Sequence, residues 1–166
     1  AMSTEFKVER INTVNKIIDK QKVIVVTNTT GYIKHLMPIK KWETAIIRFE
    51  LGSTLSTEEM LSKLIFMGYN REETVEKQGD FSYRGGILDI FPLNEINPVR
   101  IDFFDDEVDS IRYFDVNTQR STIKSKKVEI YPMYEFYYSE AEYQTIKAKV
   151  NEITSRKSFD DITSCH

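Results

Sequence analysis

The sequence predicts an α+β fold, built mostly of an antiparallel β-meander with packed helices and flanked by pieces of an α/β domain. Residues 79–114 carry the densest run of β-branched and aromatic residues, and Gly, Pro, Asn and Asp clusters divide it into strands. Ser56 with Glu59, and Ser139 with Glu142, form capping boxes that start helices. Residues 23–27, VIVVT, form a short apolar run typical of a strand buried on both faces in an α/β layer.

Residues 1–44 are predicted to be a flanking piece of the α/β domain. Ser3 or Thr4 can cap a helix that runs to about Lys20, with apolar residues at helical spacing. The strand at 23–27 follows, then a short helical turn over 33–36. A connector over 38–44 contains the only tryptophan, Trp42.

Residues 45–131 are predicted to form an α+β unit, and residues 132–166 a helix that returns to the first piece, followed by a tail. The 45–131 unit begins with a strand over 45–51 and a helix from Ser56. Gly68 ends this helix by supplying a residue in the left-handed conformation. Strands are then predicted at 74–77, 80–84, 87–91, 99–104, 107–114 and 126–131. The pair Gly85-Gly86 is interpreted as a β-bulge or bend. The last helix runs from Ser139 to about Thr154, and residues 155–166 show no clear pattern.

Alternation within the meander places particular side chains away from the core. Successive side chains of a strand point to opposite faces, so Val99, Ile101 and Phe103 face the core. Arg100 and Phe104 then lie on the other face, and Arg84 does so in an earlier strand. Two arginines and an aromatic on one face are typical anchors of a protein-binding site. The alternative is an ordinary edge aromatic beside two solvated arginines.

Composition excludes several classes of protein. The 166 residues include 40% hydrophobic residues, enough for a core, and a net charge of -3 gives no overall case for nucleic-acid binding. No apolar run approaches the ~20 residues that span a membrane, and no signal peptide is visible. The single Cys165 fits a reducing cytoplasm. We therefore expect a cytoplasmic protein with no membrane contact.

No catalytic or metal site is predicted in this chain. There is no GxxxxGK[ST] phosphate loop, and two histidines and one cysteine offer no catalytic constellation or zinc spacing. The acidic residues at 102–109 miss the pattern of a calcium loop and are interpreted as a hairpin turn. We therefore expect neither a cofactor nor enzymatic activity in this fragment.

Three segments resemble the N-terminal region of bacterial transcription-repair coupling factors, the Mfd family. They are GDFSYRGGILDIFPL from Gly79, VRIDFFDDEVDSIRYFDVNTQRS from Val99 and VEIYP from Val128. They are similar, more distantly, to the matching part of the excision-repair helicase UvrB. The resemblance implies a role in transcription-coupled nucleotide excision repair. It also implies a parent protein that is an ATP-dependent double-stranded-DNA translocase, which displaces stalled RNA polymerase and recruits UvrA to the lesion.

The resemblance further implies where each activity lies. The motor, which uses ATP and Mg, and the polymerase-binding module would lie outside this chain. The inserted domain, like domain 2 of UvrB, would bind UvrA, and the family's contact residues fall on Arg84, Arg100 and Phe104. These are the residues that alternation places on one face, which favours the binding interpretation. A C-terminal module of the parent is expected to mask this surface.

The alternative function is direct nucleic-acid binding by a UvrB-like repair protein. It rests on clustered tyrosines, whose rings can stack on bases. The tyrosines are Tyr131, Tyr134, Tyr137 and Tyr138. The acidic balance opposes this alternative, and packing between domains is the simpler interpretation of the tyrosines.

Overall fold

The computed structural model of the chain describes residues 4–18, 20–29, 37–135 and 138–163. Within them lie four helices and eight strands. In chain order these are α1 (Thr4–Ile18), α2 (Ile39–Ala45), β1 (Ile47–Glu50), α3 (Thr57–Phe66), β2 (Asn70–Arg71), β3 (Asp80–Arg84), β4 (Ile87–Ile90), β5 (Val99–Phe104), β6 (Glu107–Phe114), β7 (Ser121–Ser125), β8 (Lys127–Ile130) and α4 (Glu140–Thr163).

The strands form a six-stranded sheet and a separate two-stranded sheet. The larger sheet has the order β2-β3-β4-β5-β6-β7, in which only the short β2–β3 pair is parallel. The smaller sheet pairs β1 with β8 antiparallel, with Ile47 opposite Ile130. The predicted α+β fold and its antiparallel meander are therefore confirmed.

The Gly85-Gly86 pair forms a tight hairpin turn, so its interpretation as a bulge or bend is wrong. Both glycines have positive φ, 58° and 79°, as a two-residue turn that matches the twist of the strands requires. The irregularity of the meander lies elsewhere. The β5–β6 register shifts between Asp102 and Phe103, so that Asp109 is the extra residue of β6.

The inner face of the large sheet packs on α3 and on the small sheet. The buried residues of this core are Ile47, Phe49, Met60, Leu64, Met67, Tyr69, Phe81, Leu88, Ile90, Val99, Ile101, Val108, Ile111, Val128 and Ile130. The Ser56 cap of α3 is confirmed by a hydrogen bond from the Glu59 amide, and Gly68 adopts the predicted left-handed conformation. Ser139 and Glu142 cap α4 reciprocally.

A second, smaller cluster joins α1 and α2 to the edge of the domain. Its buried residues are Ile11, Trp42, Ile46, Leu93 and Tyr131. The connector predicted over 38–44 is wrong, because Pro38 begins α2 as its N-cap. The Trp42 Nε1–H donates to Asn15 Oδ1 at 2.8 Å, which satisfies the one polar group of a buried indole.

Several local expectations differ from the structure. Residues 23–27 are not a strand, and Ile24 and Val26 are more than nine-tenths exposed. Residues 74–77 are also not a strand, whereas β7 was not anticipated. Helix α4 continues beyond Thr154, and the helical turn expected at 33–36 lies outside the described residues. None of the described helices is both long enough and apolar enough to cross a membrane.

Candidate protein-binding face

The face of the large sheet opposite the core, here called the outer face, carries the candidate residues. Strand register places Asp89 opposite Arg100 and Arg100 opposite Arg112, while Ile87 lies opposite Asp102. The side chains considered below are Arg84, Ile87, Asp89, Arg100, Asp102, Phe104 and Arg112. Arg84, Arg100 and Phe104 thus share one face, as alternation predicts.

Arg100 is held on two sides by its own chain. Its Nε and Nη2 donate to the two carboxylate oxygens of Asp89, each at 2.7 Å, in a bidentate pair. Its guanidinium also lies over the ring of Phe114, 4.9 Å from the centroid. Hydrogen bonding to Asp89 raises the pKa of Arg100 above its ordinary value. Arg100 is therefore an ordered, charged group.

Arg84 is more exposed and is bound differently. Its Nη2 donates to the backbone carbonyl of Glu73 at 2.8 Å, an oxygen that also accepts from the Ser82 hydroxyl at 3.1 Å. Among the described residues no carboxylate forms an ion pair with Arg84. Its positive charge is therefore left uncompensated on the surface. Both arginines thus donate to acceptors of their own chain, Arg100 while partly buried and Arg84 while still exposed to solvent.

Asp102 lies on the same face as the pair of Asp89 and Arg100 and forms a second ion pair. Its carboxylate accepts from Arg112 and from the Ser110 hydroxyl, both on the neighbouring strand β6. It also contributes favourably to the charged state of Arg100. The centre of the outer face therefore carries two ion pairs, Asp89 with Arg100 and Asp102 with Arg112.

The end of the outer face next to the Gly85-Gly86 turn is apolar. Phe104 is 75% exposed and Ile87 is 40% exposed. The Phe103 amide donates to the Gly86 carbonyl at 2.7 Å, which sets Phe104 beside the turn. Ile87 and Phe104 are called here the apolar tip. Ile87 lies directly opposite Arg84, at the end of β3.

The sequence reasoning did not identify Ile87 or the contacts of Asp89. Alternation in strand β4 does indicate that Ile87 and Asp89 point outward, because Leu88 and Ile90 belong to the core. The ion pair could not be found in this way, since it depends on the register across the β4–β5 connection. Within the described residues, no cluster of three or more His, Cys, Asp or Glu side chains could hold a metal ion.

Comparison with known proteins gives a consistent match. Residues 47–136 match the family model described as the UvrB interaction domain. The chain is similar to the transcription-repair-coupling factor of Staphylococcus aureus strain Mu50, with 36% identity over 148 residues, or 89% of this chain and 13% of that protein. The corresponding factor of Staphylococcus haemolyticus is 42% identical over 128 residues, covering 77% of this chain and 11% of that protein.

The transcription-repair-coupling factor of Bacillus subtilis strain 168 is 36% identical over 130 residues, or 78% of this chain and 11% of that protein. The chain thus spans only 11 to 13% of the length of these three relatives.

Proposed function

The chain belongs to the UvrB interaction domain family, and from that premise we propose that it is a non-catalytic protein-interaction module of a transcription-repair coupling factor. In this proposal the module binds UvrA and so recruits it to lesions where RNA polymerase has stalled. The contacts are made by Arg84, Arg100 and Phe104. The apolar tip extends the surface through Ile87.

The observation that carries the proposal is the exposure of Phe104 on the same face of the sheet as two arginines, opposite the core. Guanidinium groups are forked donors that match carboxylates, so the partner surface is expected to be acidic. Arg84 supplies an uncompensated charge, and Phe104 supplies an aromatic anchor for an apolar pocket. Arginine and aromatic side chains are both enriched in protein interfaces.

The proposal includes a division of the chain. Residues 45–131 would be the UvrA-binding domain, with 1–44 and 132–166 belonging to an α/β host domain. The start of the family match at residue 47 supports a boundary near residue 45. The motor that uses ATP and Mg, and the contacts to RNA polymerase and double-stranded DNA, would lie in other parts of a cytoplasmic bacterial parent. A C-terminal module of that parent would mask the outer face.

Nucleic-acid binding by the tyrosine cluster is less well supported. Tyr131 is buried in the second cluster, and Lys41 lies 4.9 Å from the ring centroid of Tyr138. Tyr134 is half exposed, and Tyr137 lies outside the described residues. These contacts leave few free rings for stacking on bases. A gel shift with damaged and undamaged duplex DNA tests this function, since salt-sensitive binding by the chain would restore it.

Titration of purified UvrA with the chain tests the proposal. Arg84→Ala, Arg100→Ala and Phe104→Ala should each weaken binding by about 30-fold, since a hot-spot side chain contributes about 2 kcal/mol. Arg100→Ala should also lower the free energy of unfolding by about 1 kcal/mol, because it breaks the pair with Asp89. Saturable binding that survives all three changes would place the site elsewhere on the chain. No binding by the unsubstituted chain would reject the proposed function.

A further inference from the structure

We propose that Asp89 is a positioning residue for recognition by Arg100, fixing the guanidinium so that its free edge meets a carboxylate of the partner. This inference rests on the proposed function and names a residue to which neither the family match nor the sequence motifs give a role. It concerns how the site binds, not whether it does.

Within the described residues, some N–H donors of the Arg100 guanidinium are bound by the chain, and the others are free. Asp89 takes Nε–H and one Nη2–H, which is the side-on edge of the group. Phe114 covers one face of the plane. Since arginine has five N–H donors, the other three, on Nη1 and Nη2, remain for a ligand. No other described residue accepts a hydrogen bond from them.

The contact is also built to stay in place. Asp89 and Arg100 are directly opposed across β4 and β5, and their side chains are only 18% and 24% exposed. The Phe114 ring is fully buried, so the surface beneath the guanidinium is fixed. An arginine side chain that is already ordered loses less conformational freedom when it binds. By ordering Arg100 before the partner binds, Asp89 therefore reduces the conformational entropy that is lost on binding.

An opposite role for Asp89 is physically possible and gives the opposite result. A partner carboxylate could seek the side-on edge that Asp89 occupies. Asp89 would then compete with the partner, and its removal would strengthen binding. In the structure, however, the end-on edge is free while the side-on edge is satisfied, and this favours positioning over competition.

The test is a double-mutant cycle between Asp89 and Arg100, measured as the affinity of the chain for purified UvrA. Asp89→Ala should weaken binding about 2- to 10-fold, the range expected for ordering one long side chain. Asp89→Asn, which keeps the shape and one acceptor, should have a smaller effect. In the Arg100→Ala background Asp89→Ala should change nothing, because the residue acts through Arg100.

Three outcomes would overturn the inference. Tighter binding by Asp89→Ala indicates competition, unchanged binding indicates no role, and an equal loss in the Arg100→Ala background indicates an effect that does not pass through Arg100. Each variant is first shown to be folded by thermal melting, and Asp89→Asn provides the measurement if Asp89→Ala unfolds. Failure of the proposed function is distinguishable, since Arg100→Ala itself would then leave binding unchanged.

Discussion

Phe103 and Phe104 are consecutive in β5 but lie on opposite faces of the sheet. The Phe103 ring packs edge-on against Phe49 and Tyr83, with ring centroids 6.2 Å and 6.5 Å apart. The Phe104 ring is 75% exposed. Packing therefore explains the first aromatic, whereas the second leaves apolar surface in water, and in the proposed function that surface contacts UvrA.

This pair gives a matched test of stability against binding. Phe103→Ala should lower the free energy of unfolding by about 2 kcal/mol, since it removes a partly buried ring that packs against the core. Phe104→Ala should change it by less than about 0.5 kcal/mol, as expected for an exposed side chain. Urea denaturation measures both values, and titration with UvrA measures the roughly 30-fold loss of affinity expected for Phe104→Ala. Equal destabilisation by the two changes would show that the assignment of faces is wrong.

The apolar tip can be tested at Ile87 against an exposed isoleucine elsewhere in the same sheet. Ile87→Ala should weaken UvrA binding about 5-fold, because removing buried methyl groups from an interface costs roughly 1 kcal/mol. Ile123, on the edge strand β7, is 69% exposed and lies away from the tip, so Ile123→Ala should leave affinity unchanged. A similar loss for both would indicate a nonspecific apolar effect.

Alternation within β5 was enough to predict which residues share the outer face. The period of two is a local property of any strand, and the core positions Val99 and Ile101 are buried as expected. The partners of the arginines could not be predicted in the same way. The bond between Asp89 and Arg100 depends on how two strands align across an irregular connection. The bond between Arg84 and the Glu73 carbonyl depends on the path of a loop.

The incorrect predictions outside the meander also have physical causes. Residues 23–27 have strong strand propensity, but a strand needs a neighbour for its backbone groups, and no described strand pairs with this segment. Helix α2 was missed because Pro38 suggested a connector, whereas proline is also suited to the beginning of a helix. In both places the tertiary setting decides between alternatives that the local sequence leaves open.

The hairpin turn should be tolerant at one glycine and intolerant at the next. At Gly85 an added Cβ meets nothing within 4 Å, and asparagine tolerates the left-handed conformation, so Gly85→Asn should alter the free energy of unfolding by less than about 1 kcal/mol. At Gly86 the Cβ would approach the Phe103 carbonyl oxygen to 3.1 Å, again at positive φ. Gly86→Val should therefore cost about 2 kcal/mol or more.

Thermal or urea denaturation compares the free energy of unfolding of the two glycine variants with that of the unsubstituted chain. UvrA affinity of the folded Gly86→Val form should also fall, because the turn sets the positions of Arg84 and the apolar tip. A stable Gly86→Val variant with normal affinity would contradict this account of the turn.

Tyr113 should titrate well above an ordinary tyrosine. Burial, together with the nearby charge of Glu95 and a hydrogen bond to it, raises the pKa of Tyr113 from 10.0 to about 12. Between these values the unfolded chain loses the proton while the folded chain keeps it. The free energy of unfolding therefore contains a contribution that is fully present below pH 10.0 and is lost as the pH rises to about 12.

NMR of ¹³C-labelled tyrosine, with Tyr113→Phe to assign the signal, measures this pKa directly. In Glu95→Gln the pKa of Tyr113 should move back toward its ordinary value, since the neighbouring charge is removed. A Tyr113 signal that titrates near pH 10 in the unsubstituted chain would contradict the contact between Tyr113 and Glu95.

The pairing of Ile47 with Ile130 brings the two ends of the predicted 45–131 unit side by side. A segment whose ends meet at one antiparallel pair enters and leaves its surroundings through a single narrow gap, about 5 Å wide between Cα atoms. Such a unit can be cut out and grafted between two residues of an unrelated surface loop without forcing the recipient apart. In the proposed function, a graft of this unit would carry the outer face, and with it UvrA binding, to another protein.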